Sequence, residues 1–327
     1  MQTHTRATRV VVCTRAGAPY NKSFCSRASV IVRRMPLNLE AVQGLVVVMA
    51  VVALLGAGVL LGQRAVRRIR WTRPVRLLAD PIPGHWPGLV QQIVPVTTAL
   101  SERDFERLLK LVQVFLHRKN IEGAGGLELT DEIRLSIAAQ ACLLVLWMEV
   151  GLFPGLKTVI VYPDTMVPKY VDPHRGTRDV VADEPIPILG QSWGSGVVIL
   201  SWASARQAAA DPRDGRNVVL HEFAHQLDQE DGAADGVPVG LPLSAVKPWA
   251  EMLQSGLQEL RRSDVRGVST VLDRYGATNE AEFFAVASET FFEKGRQLRE
   301  KIPELYALLV EIYGVDPAEG FRDARPE

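Results

Sequence analysis

The segment His221-Glu222-Phe223-Ala224-His225 carries the strongest chemical signal in this 327-residue chain. It ends an apolar approach, NVVLHEFAHQLD, that has helical spacing. Side chains four apart on a helix lie on one face, one turn above the other. Two imidazoles placed so can share one metal ion at ~2.0–2.1 Å. The glutamate beside the first histidine is then free to take a proton from an attacking water and pass it to a leaving amine. This is the HExxH logic of zinc peptidases. The chain has only six histidines. An unpartnered pair of imidazoles in an apolar helix would be costly without a metal.

A catalytic zinc needs a third protein ligand and keeps one position for water. Asp228 and Asp231 follow the second histidine by three and six residues, where metzincins place Gly and then His. Asp231 could ligate there, but the glycine that turns the helix back is missing. Asp228 is a candidate for a supporting role behind the ligands. The better third ligand lies in Asn279-Glu-Ala-Glu282-Phe-Phe-Ala-Val-Ala-Ser-Glu289. Glu282 and Glu289 are seven apart and share a helix face. Glu282 can bind the metal while Glu289 orients a histidine ring. Alternatively, Asn279 is an N-cap and Glu282 its partner in a capping box. Glu289 could equally make an ordinary salt bridge. Tyr275 is either a hydrogen-bond donor to a developing oxyanion or a packed loop residue. His85, His117 and His174 sit at no ligand spacing and read as structural or surface residues.

Positioning these groups needs a folded, helix-rich domain. Helices are expected from Ser101 to about Lys119, from Thr130 to about Met148, and over 213–229, 244–262, 279–294 and 301–313. Ser101, with acidic residues in the first turn behind it, is a fitting start. Strands are expected at 157–163 and 196–202. GVVILSW (196–202) precedes the HExxH helix. It could be a free edge that pairs with an extended peptide, or an internal strand.

Composition bounds the rest. Hydrophobic residues make up 47 % of the chain and charged residues 23 %, which excludes a wholly disordered protein. Cysteines at 13, 25 and 142 build no disulfide framework, and Cys142 reads as a core thiol. The formal net charge is zero, yet residues 77–327 hold 24 basic and 36 acidic groups. That bulk charge of −12 argues against nucleic acid as a partner.

Residues 41–62 are 22 residues without a charge, about 33 Å as a helix and enough to span a ~30 Å bilayer core. Six arginines follow at 64–76. Met35 is the expected start. The flank MPLNLE then lacks Lys and Arg, so the positive-inside rule faces the domain to the cytoplasm. A transit peptide is the other reading of residues 1–34. The expected organisation is a basic leader (1–40), a transmembrane helix with its basic flank (41–70), a Pro-rich linker (71–98), the peptidase domain (99–318) and a tail (319–327). A single-pass protein, in a bacterial inner membrane, is expected.

From about Leu100 to Pro317 the chain resembles the Mlc titration factor A (MtfA) family of zinc peptidases. The likeness rests on EGAGGLELTDEIRLSIAAQACLL, GQSWGSGVVILSW, DPRDGRNVVLHEFAHQLDQEDGAADGVP and YGATNEAEFFAVASETFF. HEFAH with YGATNEAEFFA is also similar to the catalytic domain of anthrax lethal factor, a gluzincin. The resemblance implies an α+β, zincin-like metallopeptidase fold with a small mixed sheet packed on helices. It implies zinc on His221, His225 and Glu282, Glu222 as general base, Tyr275 assisting the tetrahedral intermediate and Glu289 supporting a histidine. It further implies aminopeptidase-type activity on small synthetic substrates and, in enterobacterial members, binding of the repressor Mlc. A transmembrane segment departs from the enterobacterial pattern. A peptide or protein substrate is therefore the expected partner. The contrasting expectation is a regulator-binding module with a structural or vestigial zinc, which would not need an intact Glu222.

Overall fold

The computed structural model describes residues 78–164, 190–193 and 196–323, together with 43, 46–56, 58, 75 and 76. The chain divides into two compact units, 1–61 and 62–327. In the first, residues 46–56 are helical and exposed. At 1.5 Å per residue this described stretch is about 16 Å long, roughly half a bilayer core. Among the described residues no helix is long and apolar enough to cross a membrane. The expected single-pass span at 41–62, and the membrane localisation drawn from it, are corrected accordingly. The charge-free run predicts one continuous helix over 41–62, of which residues 41, 42, 44, 45, 57 and 59–62 lie outside the described residues, as do 1–40 and His174.

The second unit opens with α1 (Trp86–Ile93), inside the Pro-rich stretch. Val90 and Val94 enter the core there. Helix α2 (Glu102–Arg118) starts where Ser101 Oγ accepts the Asp104 N–H at 3.1 Å. Strand β1 (Asn120–Gly123) follows. Helix α3 (Asp131–Val145) is capped by Thr130 and buried over almost its whole length, Cys142 included. Such all-round burial suits a sequence without a polar stripe.

Strands β2 (Thr158–Tyr162), β3 (Gly190–Trp193) and β4 (Val197–Ser201) complete a four-stranded sheet in the order β1-β2-β4-β3. The first three strands in that order are parallel and β3 is antiparallel to β4. The strand GVVILSW is therefore internal, and β3 forms the edge beside it. Burial of successive β4 residues on both faces matches its unbroken apolar run.

Helix α4 (Trp202–Ala210) leads to α5 (Val218–Gln229), which carries the histidines. Helix α5 begins at Val218 rather than 213. Asn217 is extended, and its Oδ1 accepts the Val219 and Leu220 N–H groups at 3.1 and 3.0 Å. Val219, Leu220, Phe223, Ala224 and Leu227 are all buried, so α5 runs through the core. Phe223 packs edge-on to Phe153 with centroids 4.9 Å apart. Phe153 itself has φ 46°, a left-handed conformation unfavourable for a residue with Cβ. Buried Lys119 holds that turn by donating to the Phe153 and Leu156 carbonyls at 2.5 and 2.9 Å.

After α5 the chain turns at Gly236, whose φ is 75° and where a Cβ would stand 2.4 Å from the Glu280 carbonyl oxygen. Only glycine permits this approach to the next site-bearing helix. Then come α6 (Val246–Val265), a 3-10 turn (Arg274–Ala277), α7 (Glu280–Glu293), α8 (Gly295–Lys301) and α9 (Pro303–Tyr313). The helix expected at 301–313 is α9, which starts at Pro303, where proline cannot continue a preceding turn; the short helix α8 before it is not among those expected. Two short strands, β5 (Val315–Asp316) and β6 (Arg322–Asp323), pair antiparallel.

Candidate metal centre

Helices α5 and α7 pack together and bring their polar residues to one point. Asn279 caps α7 through Oδ1, which accepts the Glu282 N–H at 2.9 Å. That leaves the Glu282 side chain on the first turn, facing α5. Its carboxylate is turned to the imidazoles. Asn279 makes the cap, while the Glu282 carboxylate reaches the histidines.

His221 Nε2 lies 3.2 Å from His225 Nε2 and 3.0 Å from Glu282 Oε2. His225 Nε2 lies 3.4 Å from the same oxygen. A tetrahedral ion bonded at ~2.0–2.1 Å separates its ligand atoms by about 3.3–3.4 Å. The observed edges, 3.0, 3.2 and 3.4 Å, are close to that size, two of them slightly shorter. These three residues form a group able to hold a metal ion.

The surroundings fit a cation as well. Glu289 Oε1 lies 2.7 Å from His221 Nδ1, and Glu289 Oε2 accepts the Asn217 N–H at 2.5 Å. With the Nδ1 proton donated to Glu289, the His221 Nε2 lone pair faces Glu282 and His225. No Lys or Arg among the described residues makes an ion pair with Glu222, Glu282 or Glu289. Among the described residues, three carboxylates therefore surround two imidazoles with no Lys or Arg ion-paired to them. Burial alone would lower the His221 pKa, but hydrogen bonds to Glu282 and Glu289 prevail and raise it to about 10. Burial likewise opposes ionisation of Glu282, yet the two histidines pull it down to about 2. A metal ion competes for the same electrons as the proton on these rings.

Glu222 is buried, with Oε2 unpartnered among the described residues. Burial raises its pKa to about 8; His221 opposes the rise, and Glu282 and Glu289 add to it. Tyr275 sits on the 3-10 turn, 54 % exposed, with its ring 5.8 Å from the His221 ring. Burial, Glu282 and Glu222 all raise its pKa, so the phenol keeps its proton and can donate it.

Asp228 is buried one turn beyond His225, and its Oδ1 accepts the Val237 N–H at 3.0 Å. It hydrogen-bonds neither imidazole. Burial lifts its pKa to about 6. Asp231 turns away, accepting the Ala233 N–H at 2.8 Å. His85 pairs with Asp131 at 2.9 Å on the surface.

Sequence reasoning missed the anchor of this assembly. Asn217 Nδ2 donates to Gln140 Oε1 and to Glu293 Oε1, both at 3.0 Å. Glu293 Oε2 accepts the Arg216 N–H at 3.0 Å. The readable signals were an Asn directly before the apolar run and a Glu four residues beyond Glu289.

Two imidazoles from the buried helix α5, met by a carboxylate from α7, give this helix-rich α+β unit the architecture of a metallopeptidase. Comparison with known proteins agrees, and the chain belongs to the glucose-regulated metallo-peptidase M90 family, whose profile matches residues 67–314. It is 39 % identical over 246 residues to an uncharacterized protein of Synechocystis sp., covering 75 % of this chain and 89 % of the relative. It is 32 % identical over 238 residues to Mlc titration factor A of Pectobacterium atrosepticum, covering 71 % and 86 %. To Mlc titration factor A of Escherichia fergusonii it is 31 % identical over 259 residues, covering 78 % and 95 %.

Proposed function

We propose that the protein is a zinc-dependent peptidase of the gluzincin type, with aminopeptidase-type activity. The observation that carries this reading is the 3.0–3.4 Å triangle of His221, His225 and Glu282. Its edges suit a tetrahedral ion with a fourth corner for substrate or water. When bound, zinc supplies a Lewis acid and makes water more acidic. Two borderline imidazole nitrogens beside a single hard carboxylate also suit zinc better than calcium or magnesium, which take all-oxygen sites.

The chain's own residues divide the remaining work. Glu222 takes a proton from the attacking water and delivers it to the leaving amine. Its burial and raised pKa suit a group that must hold a proton briefly near neutrality. Tyr275 donates a hydrogen bond to the oxygen on which charge develops. Glu289 fixes the His221 ring, and Asn217 fixes Glu289.

The name of the Mlc titration factor A relatives supports a protein partner in addition to a peptide substrate. A module that only sequestered a regulator would have no use for a buried glutamate with a free oxygen next to a histidine pair. That feature favours hydrolysis as the primary role.

The test is Glu222→Gln in the full chain, assayed on alanine 4-nitroanilide and quenched fluorescent peptides. The variant should retain one zinc per chain and lose cleavage by a factor of roughly 10²–10⁴. Cleavage at the native rate would show that the base is misassigned.

A further inference from the structure

We infer that Arg216 and Asp273 are positioning residues for catalysis: together they tie the turn bearing Tyr275 to the start of the histidine helix. This rests on the role proposed for Tyr275.

An exposed phenol is not held by packing around its ring. Tyr275 is 54 % exposed, and beyond its contacts with His221 and Glu282 its backbone must place it. That backbone is a 3-10 turn of four residues, Arg274–Ala277, too short to be stable alone. Asp273 caps it, with Oδ1 accepting the Tyr275 N–H at 2.9 Å. The other oxygen of the same carboxylate, Oδ2, accepts from Arg216 Nε at 3.1 Å and from its terminal nitrogen at 2.8 Å. Burial opposes ionisation of Asp273, but the Tyr275 N–H and Arg216 prevail and lower its pKa.

Arg216 is itself anchored to the site. Its own N–H donates to Glu293 Oε2 at 3.0 Å and to Asp214 Oδ1 at 2.8 Å. The next residue is Asn217, the cap of α5 and the support of Glu289. Each half of the proposed machinery thus meets at this corner. The histidine helix starts there, and the Tyr275 turn is fastened there across 57 residues of sequence. From the other side Arg261 donates to the Ala277 and Thr278 carbonyls at 2.8 and 3.0 Å, holding the end of the turn but not Tyr275 itself.

A surface ion pair of this kind contributes little to stability when one partner is as exposed as Arg216, at 74 %. Its effect should appear in geometry. Misplacing a transition-state donor by about 1 Å costs far more rate than binding.

The test compares Arg216→Ala, Arg216→Lys, Tyr275→Phe and the Arg216→Ala/Tyr275→Phe double variant in the zinc-loaded full chain, with alanine 4-nitroanilide as probe. Arg216→Ala should lower kcat roughly ten- to hundredfold, with KM within about twofold and zinc content and Tm unchanged. Arg216→Lys should recover part of the loss. In the double variant, Arg216→Ala should cost nothing beyond Tyr275→Phe, because the group it positions is already gone. Independent, multiplicative losses would overturn the inference, and so would a native kcat in Arg216→Ala. If Tyr275→Phe alone keeps the native kcat, the role of the phenol falls, and with it the reason for the bridge. A native Arg216→Ala beside an impaired Tyr275→Phe overturns the bridge alone.

Discussion

Glu289 offers the sharpest separation of metal affinity from folding. Its two oxygens serve different masters: Oε1 meets His221 Nδ1 at 2.7 Å and Oε2 meets the Asn217 N–H at 2.5 Å. Glu289→Gln leaves one oxygen and one NH2 in that place. If the oxygen stays with Asn217, the NH2 faces His221 Nδ1 and favours the tautomer with its proton on Nε2, where the metal must bind. If the oxygen stays with His221, the Asn217 N–H loses its acceptor. Loss of such a supporting carboxylate typically weakens metal binding about 10–100-fold, or about 1.4–2.7 kcal/mol. Glu289→Ala removes both acceptors. It strands a buried N–H and an imidazole N–H at about 1–3 kcal/mol each, so it should weaken zinc and also destabilise the metal-free fold by about 2–6 kcal/mol. The assay is zinc competition against a chromophoric chelator, paired with urea unfolding of the metal-free proteins. Glu289→Gln should move chiefly the first measurement and Glu289→Ala both. A zinc Kd within twofold of wild type in both variants would refute the orienting role.

Other outcomes follow from the same packing and charges. Phe223, the central residue of the motif, is fully buried against Phe115 and Phe153. Phe223→Ala should cost about 3–5 kcal/mol in urea unfolding, and a loss below 1 kcal/mol would contradict the packing. The metal-free protein should lose stability as pH rises. Glu222 and Glu293 are raised, chiefly by burial, from 4.5 to about 8, so folding is penalised increasingly above about pH 4.5 until both ionise near 8. His221, raised to about 10 by its carboxylates against burial, stabilises the fold fully below 6.5 and loses that contribution as pH climbs through about 10. Glu282, held at about 2 by the histidines against its own burial, adds stability above 4.5 that is lost toward pH 2. The metal-free Tm should therefore peak near about pH 5 and fall toward 9, read by scanning fluorimetry. A Tm that climbs from pH 5 to 8 without metal would contradict these environments.

How far these features could be read beforehand depended on how local they are. The spacing of His221 and His225 is a property of one helix, so it survived folding unchanged. Glu282 was legible only as two competing possibilities. A residue three beyond an Asn serves a cap or a ligand equally well until the neighbouring helix is present. The short strands were harder. Asn120–Gly123 and Gly190–Trp193 are four residues each and have no alternation, and their pairing is settled by distant partners. The Arg216–Asp273 bridge and the Asn217–Glu293 contact join residues 57 and 76 apart, beyond any local pattern. The difference ran the other way at 41–62, where a charge-free run of spanning length followed by arginines predicts a membrane helix, and no described helix is long and apolar enough to cross a membrane.

The central claim is that two imidazoles of one helix and a carboxylate of another share a single ion. X-ray absorption at the zinc edge of the metal-loaded protein tests it most directly. The spectrum should show a four-coordinate N/O shell at ~2.0–2.1 Å with outer-shell scattering from two imidazole rings, and His225→Ala should remove one ring. Sulfur in the first shell, or fewer than two imidazoles in the wild type, would contradict it.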